Sequence, residues 1–144
     1  MTTTEQAREY FAGGYNCAQA TLAAYAPEFG LDAEAALRLA AALGGGIARR
    51  GETCGALLGA LLALGLAEGA ADPSPEAKQR IYARAGELQR RFEERFGSWR
   101  CKELLDCDLS TPEGSQLARE KSFHTTVCPA FVAGAAEILT AMLA

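Results

Sequence analysis

Apolar residues recur at helical spacing through most of the chain, and glycine or proline interrupts each recurring stretch. This spacing places the apolar side chains on one face of a helix, and residues that cap helices precede several of the stretches. The pattern predicts helices at Thr4–Ala12, Cys17–Ala26, Ala33–Leu43, Cys54–Ala67, Pro75–Phe96, Trp99–Leu105, Pro112–Lys121 and Pro129–Met142. The stretch Phe123–Val127 is expected to be a connector.

Composition supports the helical interpretation. Alanine and leucine dominate the 49 % of residues that are hydrophobic, and both favour helices over strands. The chain contains no internal repeat and no linker between domains. The sequence therefore predicts one all-α domain, residues 1–144, built as a bundle of about six to eight helices.

Charge and hydropathy exclude two classes of partner. The formal net charge is −4, so the chain as a whole offers no basic surface for nucleic acid. The first residues lack the basic and apolar regions of a signal peptide, and the apolar run Cys54–Ala67 is too short to span a bilayer. We expect a cytoplasmic protein that does not span a membrane and whose thiols stay reduced.

Four of the five cysteines fall at predicted helix starts. Cys17 follows the capping residue Asn16, and Cys54 follows Thr53, which we expect to be the N-cap of the central helix. Cys101 lies in a first turn, and Cys128 stands at an N-cap position before a proline. The sequence therefore predicts that these four thiols meet at one site.

Helix starts carry unpaired backbone N–H groups and favour negative charge. A pocket of converging helix starts suits thiolates, a metal ion or an iron–sulfur cluster, and we expect Cys54 to have a lowered pKa. Five cysteines in a reducing compartment indicate metal binding or redox chemistry rather than structural disulfides. The chain has no Cys-x-x-Cys, which excludes a thioredoxin-like dithiol, a zinc ribbon and covalently attached haem.

Glycines surround Cys54 on both sides. Gly44–Gly46 precede it in a loop, but no Walker or dinucleotide motif follows that would indicate phosphate binding. Gly55 and Gly59 leave bare backbone on one side of the central helix, where a bound group or a neighbouring segment can approach. The Gly-x-x-x-Gly spacing is also compatible with a contact in a homodimer. Close packing beside Cys54 is the preferred interpretation.

Four segments together form a recognisable pattern. They are Tyr15–Ala20 (YNCAQA), Gly44–Gly46 running into Thr53–Gly59 (TCGALLG), Arg100–Leu105 (RCKELL), and the pair Cys128-Pro129. In order and spacing they resemble the C_GCAxxG_C_C family of small redox-active proteins, over nearly the whole chain. The resemblance implies a redox role, association with a transporter and, through a related domain, an iron–sulfur centre. The functional set that it implies is Cys17, Cys54, Cys101 and Cys128.

Two further residues stand outside that set. Cys107 follows Asp106 where the family more often has glycine and an apolar residue, and we interpret it as an incidental surface thiol. His124 is the single histidine, and an ordinary packing or surface role is the preferred interpretation over metal ligation or base catalysis.

Three functions remain open at this point. The first is a redox-active protein whose four cysteines hold an iron–sulfur cluster or a metal ion (zinc or iron), or cycle between dithiol and disulfide. The second is a structural zinc protein with a closed four-cysteine site. The third is a thiol-based carrier that passes a metal or sulfur species to a transporter. The chain has no clear general-base pair, so the pattern does not decide between an oxidoreductase and an electron carrier.

Overall fold

The computed structural model describes residues 1–144 and is all-α, as the sequence predicts. A 3₁₀ turn, Ala26–Phe29, follows the second helix directly, and the eighth helix is a single turn. The helices are α1 (Thr3–Ala12), α2 (Cys17–Tyr25), α3 (Ala33–Leu39), α4 (Gly55–Glu68), α5 (Pro75–Phe96), α6 (Cys101–Leu105), α7 (Pro112–Glu120), α8 (Phe123–Thr126) and α9 (Cys128–Leu143).

Side-chain caps fix the start of five helices. Thr2 and Asn16 each form a capping box with the residue three positions later, at α1 and α2. Asp32, Ser74 and Thr111 each accept the backbone N–H three residues later, at α3, α5 and α7. Such caps satisfy N–H groups that have no partner inside the helix, so these starts are determined locally by the sequence.

The core lies where α2, α4 and α9 pack together. Leu22 from α2, Leu57 and Leu64 from α4 and Leu139 from α9 are almost completely buried. The Tyr25 hydroxyl group spans from α2 to α9, where it donates to the carbonyl of Ala136 over 2.6 Å and contacts the Thr140 hydroxyl group. The amphipathic helix α5 covers one side of this core through Leu88 and Phe92.

One continuous stretch, Phe123–Leu143, is long and apolar enough to cross a membrane by length and composition. It comprises α8 and α9. Val132, Ala136 and Leu139 are fully buried against the rest of the domain, which gives this stretch a role in the core. The apolar composition of α9 is therefore explained by packing, and the structure has no helix that clearly spans a membrane.

The structure corrects several predicted boundaries. Cys128 is the first residue of α9 rather than its N-cap, and α6 begins at Cys101 rather than Trp99. Helix α3 ends at Leu39 rather than Leu43, because the Asn16 amide group donates to the carbonyls of Ala40 and Ala41 beyond it. Cys54 is the N-cap of α4 rather than its first residue. The predicted connector at residues 123–127 is largely the single turn α8.

Candidate functional site: a cavity lined by four cysteines

Cys17 is the first residue of α2, and the local sequence fixes its position. The Asn16 side chain accepts the Gln19 N–H over 2.8 Å, and the Gln19 side chain accepts the Asn16 N–H over 2.9 Å. The amide group of Gln19 also donates to the Leu37 carbonyl in α3 over 2.8 Å. The capping box therefore does two things: it starts α2 at Cys17, and it joins α2 to the end of α3.

Cys54 and Cys101 are positioned by one long-range contact. Thr53 and Arg100 form an isolated antiparallel β-bridge, and each immediately precedes one of the two cysteines. The Cys54 N–H donates to the Trp99 carbonyl over 2.8 Å, and the Cys101 N–H donates to the Glu52 carbonyl over 2.6 Å. This pairing keeps Cys54 out of the helical conformation, at φ −53° and ψ 130°, and places it before α4 rather than within it.

The glycine loop packs directly on this site. A Cβ added at Gly44 would lie 2.5 Å from the Asn16 Cβ, and one at Gly46 would lie 2.7 Å from the Cys101 Cβ. Gly45 and Gly46 have positive φ values, and so do the three residues at 47–49. Glycine is needed at 44 and 46 because the loop passes between the two cysteine-bearing segments without room for a side chain.

The start of α4 is equally close to α2. A Cβ added at Gly55 would lie 2.3 Å from the Cys17 sulfur, and one at Gly59 would lie 2.6 Å from the Ala18 carbonyl oxygen. The prediction that these glycines permit close packing beside Cys54 is confirmed, and the neighbouring segment is α2. The Gly-x-x-x-Gly face is therefore occupied by α2 within the chain, and a homodimer stays a prediction.

A cavity of about 790 Å³ opens beside these helix starts, and Cys17, Cys54, Cys101 and Cys128 all line it. Cys54 and Cys101 are 5 % and 8 % exposed, whereas Cys17 and Cys128 are half-buried. Gly55 also lines the cavity, but Gly59 does not. Cys107 is half-buried outside the lining, and its thiol contacts the Gly114 carbonyl. The structure thus brings the four predicted cysteines together.

The charge of Cys17 influences the pKa of the other three thiols. After burial, its ionised form is the largest influence on the pKa of Cys54, and the same holds for Cys101 and Cys128. Burial raises the pKa of Cys101 and of Cys128 to about 12. Ionising Cys17 therefore disfavours ionisation of its three neighbours, so that one thiolate at a time is expected.

The expected low pKa of Cys54 is wrong. Burial, and secondly the charge of Cys17, raise the pKa of Cys54 well above its ordinary value. The N–H groups of Ala56 and Leu57 face its sulfur and act in the opposite direction, but they do not compensate for the loss of water. A helix start lowers a thiol pKa only where water or another charge also reaches the sulfur.

Burial also raises the pKa of Cys17, but more donors oppose it there. The N–H groups of Gly45, Ala18 and Ala56 face the Cys17 sulfur, together with its own N–H. They come from the glycine loop, from the start of α2 and from the start of α4. The Ala56 N–H acts to lower the pKa of both Cys17 and Cys54.

The side chains do not form a ready-made set of metal ligands. No group of three or more His, Cys, Asp or Glu side chains has an arrangement that could hold a metal ion. The four thiols line a common cavity, but no three of them are arranged to hold a single metal ion. The arrangement is suited to thiols that react with a molecule in the cavity or with one another.

Sequence reasoning missed several residues of the cavity wall. Arg49 and Arg119 both line it, and the sequence pattern singled out neither. His124 also lines the cavity, and its ring stacks on Phe11 with centroids 4.1 Å apart. The sequence feature that could have indicated Arg49 as a wall residue is its position three residues after Gly46. Nothing local marks Arg119.

Comparison with protein families gives one match. The model of the family described as "Putative redox-active protein (C_GCAxxG_C_C)" matches residues 15–142. Comparisons with curated proteins and with solved structures gave no match. The matched range includes every cysteine of the chain and begins two residues before Cys17.

Proposed function

The chain belongs to the C_GCAxxG_C_C family of redox-active proteins, and we propose that it is a thiol–disulfide oxidoreductase in which Cys17 reacts first and Cys54 second. The observation that carries the proposal is the packing of the Cys17 sulfur against the start of α4, in a cavity that both cysteines line. Gly55 supports it, because the Cys17 sulfur lies against the residue that follows Cys54.

Cys17 is assigned the first role because of access and charge. Its side chain is half-buried on the cavity wall, whereas Cys54 is almost completely buried. Donors from three segments face the Cys17 sulfur, and they stabilise the thiolate that attacks a disulfide. Cys54 is kept protonated by burial until a disulfide forms next to it.

The reaction proceeds in two exchange steps. The Cys17 thiolate attacks one sulfur of a substrate disulfide, the substrate S–S bond breaks, and the released half takes up the proton that Cys17 gave up. Cys54 then loses its proton and attacks the Cys17 sulfur, which forms the Cys17–Cys54 bond and releases the second half as a thiol. The substrate gains two electrons and two protons, and the cysteine pair loses them. An external dithiol, through the reverse exchange, returns the pair to its reduced form.

The test uses reduced protein and 2,2′-dithiodipyridine, a small neutral disulfide whose thione product absorbs light. We expect rapid release of two thiones per chain and a Cys17–Cys54 disulfide in the peptide map. Cys54→Ser should release one thione and retain a mixed disulfide at Cys17, and Cys17→Ser should lose the rapid phase. Cys107→Ser is the control and should behave like the parent. A rapid phase that survives in Cys17→Ser would overturn the proposal.

The cysteine-bound metal and the carrier function remain predictions. Iron in an iron–sulfur cluster would give visible absorption in anaerobically purified protein, and a structural zinc ion would give one zinc per chain without colour. A zinc ion would require the thiols to move to ligand distances. A carrier for a transporter would bind a metal or sulfur species and release it without forming the Cys17–Cys54 disulfide. We place the protein in the cytoplasm, where an external dithiol is available to regenerate it.

A further inference from the structure

Two arginines meet at the wall of the cysteine cavity. The Arg49 guanidinium donates to the Ser115 hydroxyl oxygen over 3.1 Å, and the Arg119 guanidinium donates to the same oxygen over 3.0 Å. Neither arginine forms an ion pair with a carboxylate. Two like charges thus converge on a neutral hydroxyl group, which leaves their attraction for an anion unsatisfied.

The rest of the cavity wall also leaves the positive charge of the two arginines uncompensated. No aspartate or glutamate lines the cavity, although the chain has a net charge of −4. The remaining lining is mainly apolar, with Phe11, Leu104 and Phe131 among its larger side chains. The cavity therefore combines an apolar wall, a pair of cations and a set of thiols, and its volume of about 790 Å³ suits a small molecule.

The backbone of Arg49 packs against the glycine loop. Arg49 has a φ of 62°, and its N–H donates to the Gly44 carbonyl over 3.0 Å. A Cβ added at Gly45 would lie 2.9 Å from the Arg49 Cα, and the Gly45 N–H faces the Cys17 sulfur. The arginine is therefore attached to the same turn of loop that contacts Cys17.

We propose that Arg49 and Arg119 bind the carboxylate of a small disulfide while its sulfur reaches Cys17. The inference rests on the proposed function and names its substrate class: low-molecular-weight disulfides with a carboxylate and an apolar or aliphatic body. A guanidinium pair matches the two oxygens of a carboxylate, and the apolar wall accommodates the carbon skeleton. The exchange itself follows the two balanced steps given above, with the carboxylate unchanged.

The first test compares two aromatic disulfides that differ in charge. The rate at which Cys17 is modified is measured with the dianionic 5,5′-dithiobis(2-nitrobenzoate) and with the neutral 2,2′-dithiodipyridine. In the double variant Arg49→Gln/Arg119→Gln we expect the anionic reagent to react about tenfold more slowly, which corresponds to about 0.7 kcal/mol per exposed arginine. The neutral reagent should react within about twofold of the parent rate.

Arg90→Gln serves as the matched control. Arg90 is exposed on α5 and outside the cavity lining, so two single variants, Arg90→Gln and Arg49→Gln, change the net charge equally. Only Arg49→Gln should change the ratio of the two rates. An equal change in both variants would mean that overall charge explains the effect, and the inference would be overturned.

A second measurement separates this inference from the proposed function. Binding of (phenylthio)acetate, a carboxylate thioether that cannot exchange, is followed by NMR with thioanisole as the neutral counterpart. Weaker binding of the carboxylate in the double arginine variant supports the anion site even if Cys17 proves unreactive. Equal binding by parent and double variant overturns the anion site even if Cys17 reacts as proposed.

Discussion

Replacing Gly59 by alanine tests the packing that holds Cys17 against α4. The new Cβ would lie 2.6 Å from the Ala18 carbonyl oxygen and 2.9 Å from the Thr21 Cβ. Both contacts are on α2, and the first is with backbone, so a rotation of a side chain cannot relieve it. The Thr21 hydroxyl group donates to the Cys17 carbonyl over 2.9 Å. A displacement of this turn of α2 should therefore also move Cys17.

The two opposing contributions can be compared. Alanine is a better helix former than glycine, which should stabilise the variant by up to about 1 kcal/mol. Overpacking a tight contact costs about 1–3 kcal/mol. Because backbone atoms must move, we expect the upper part of that range and a net loss of about 1–2 kcal/mol for Gly59→Ala.

Urea unfolding of the reduced protein measures the difference, with Gly65→Ala as the control. Gly65 lies in the same helix and has nothing within 4 Å of an added Cβ, so propensity alone should stabilise that variant. The reaction of Cys17 with 2,2′-dithiodipyridine should also change in Gly59→Ala and remain unchanged in Gly65→Ala. If Gly59→Ala unfolds at the same urea concentration as Gly65→Ala, α2 and α4 do not pack as closely as described.

Three further predictions follow from the same site. Asn16→Ala removes the α2 cap and should cost about 1–2 kcal/mol in urea unfolding, with slower modification of Cys17. Gly46→Ala should destabilise the fold in the same assay, because its Cβ would lie 2.7 Å from the Cys101 Cβ at a φ of 74°. The raised pKa of about 12 at Cys128 means that the folded state retains a proton that the unfolded chain loses from about pH 9 upward. Calorimetry should therefore show the melting temperature of the reduced parent falling more steeply between about pH 9 and 12 than that of Cys128→Ser.

Local sequence signals predicted most of the fold because the caps act locally. Asn16 and Gln19 are three residues apart, and their capping box requires nothing from the rest of the chain. Pro75 after Ser74 starts α5 in the same local way. A cysteine next to such a capping signal can therefore be placed at a helix start from the sequence alone, as Cys17 is.

The parts that sequence reasoning missed depend on contacts between distant residues. Thr53 looked like a cap, but its bridge with Arg100 extends the chain and moves the cap to Cys54. The anion site joins Arg49 to Arg119 through a serine on α7, and no spacing within either segment indicates that contact. The thiol pKa depends on the depth of burial, which follows only from the complete packing.

Burial raises the pKa of the thiols in this cavity, and backbone N–H donors lower it. The number of donors differs from one sulfur to the next. For Cys54, Cys101 and Cys128 the loss of water dominates, so their protons are held at neutral pH. Burial also raises the pKa of Cys17, but N–H groups from three segments oppose it and the side chain is only partly buried on the cavity wall. The arginine pair on the same cavity wall adds positive charge to the site. The site can therefore keep one thiol available to an anionic disulfide while its neighbours remain protonated and unreactive until exchange begins.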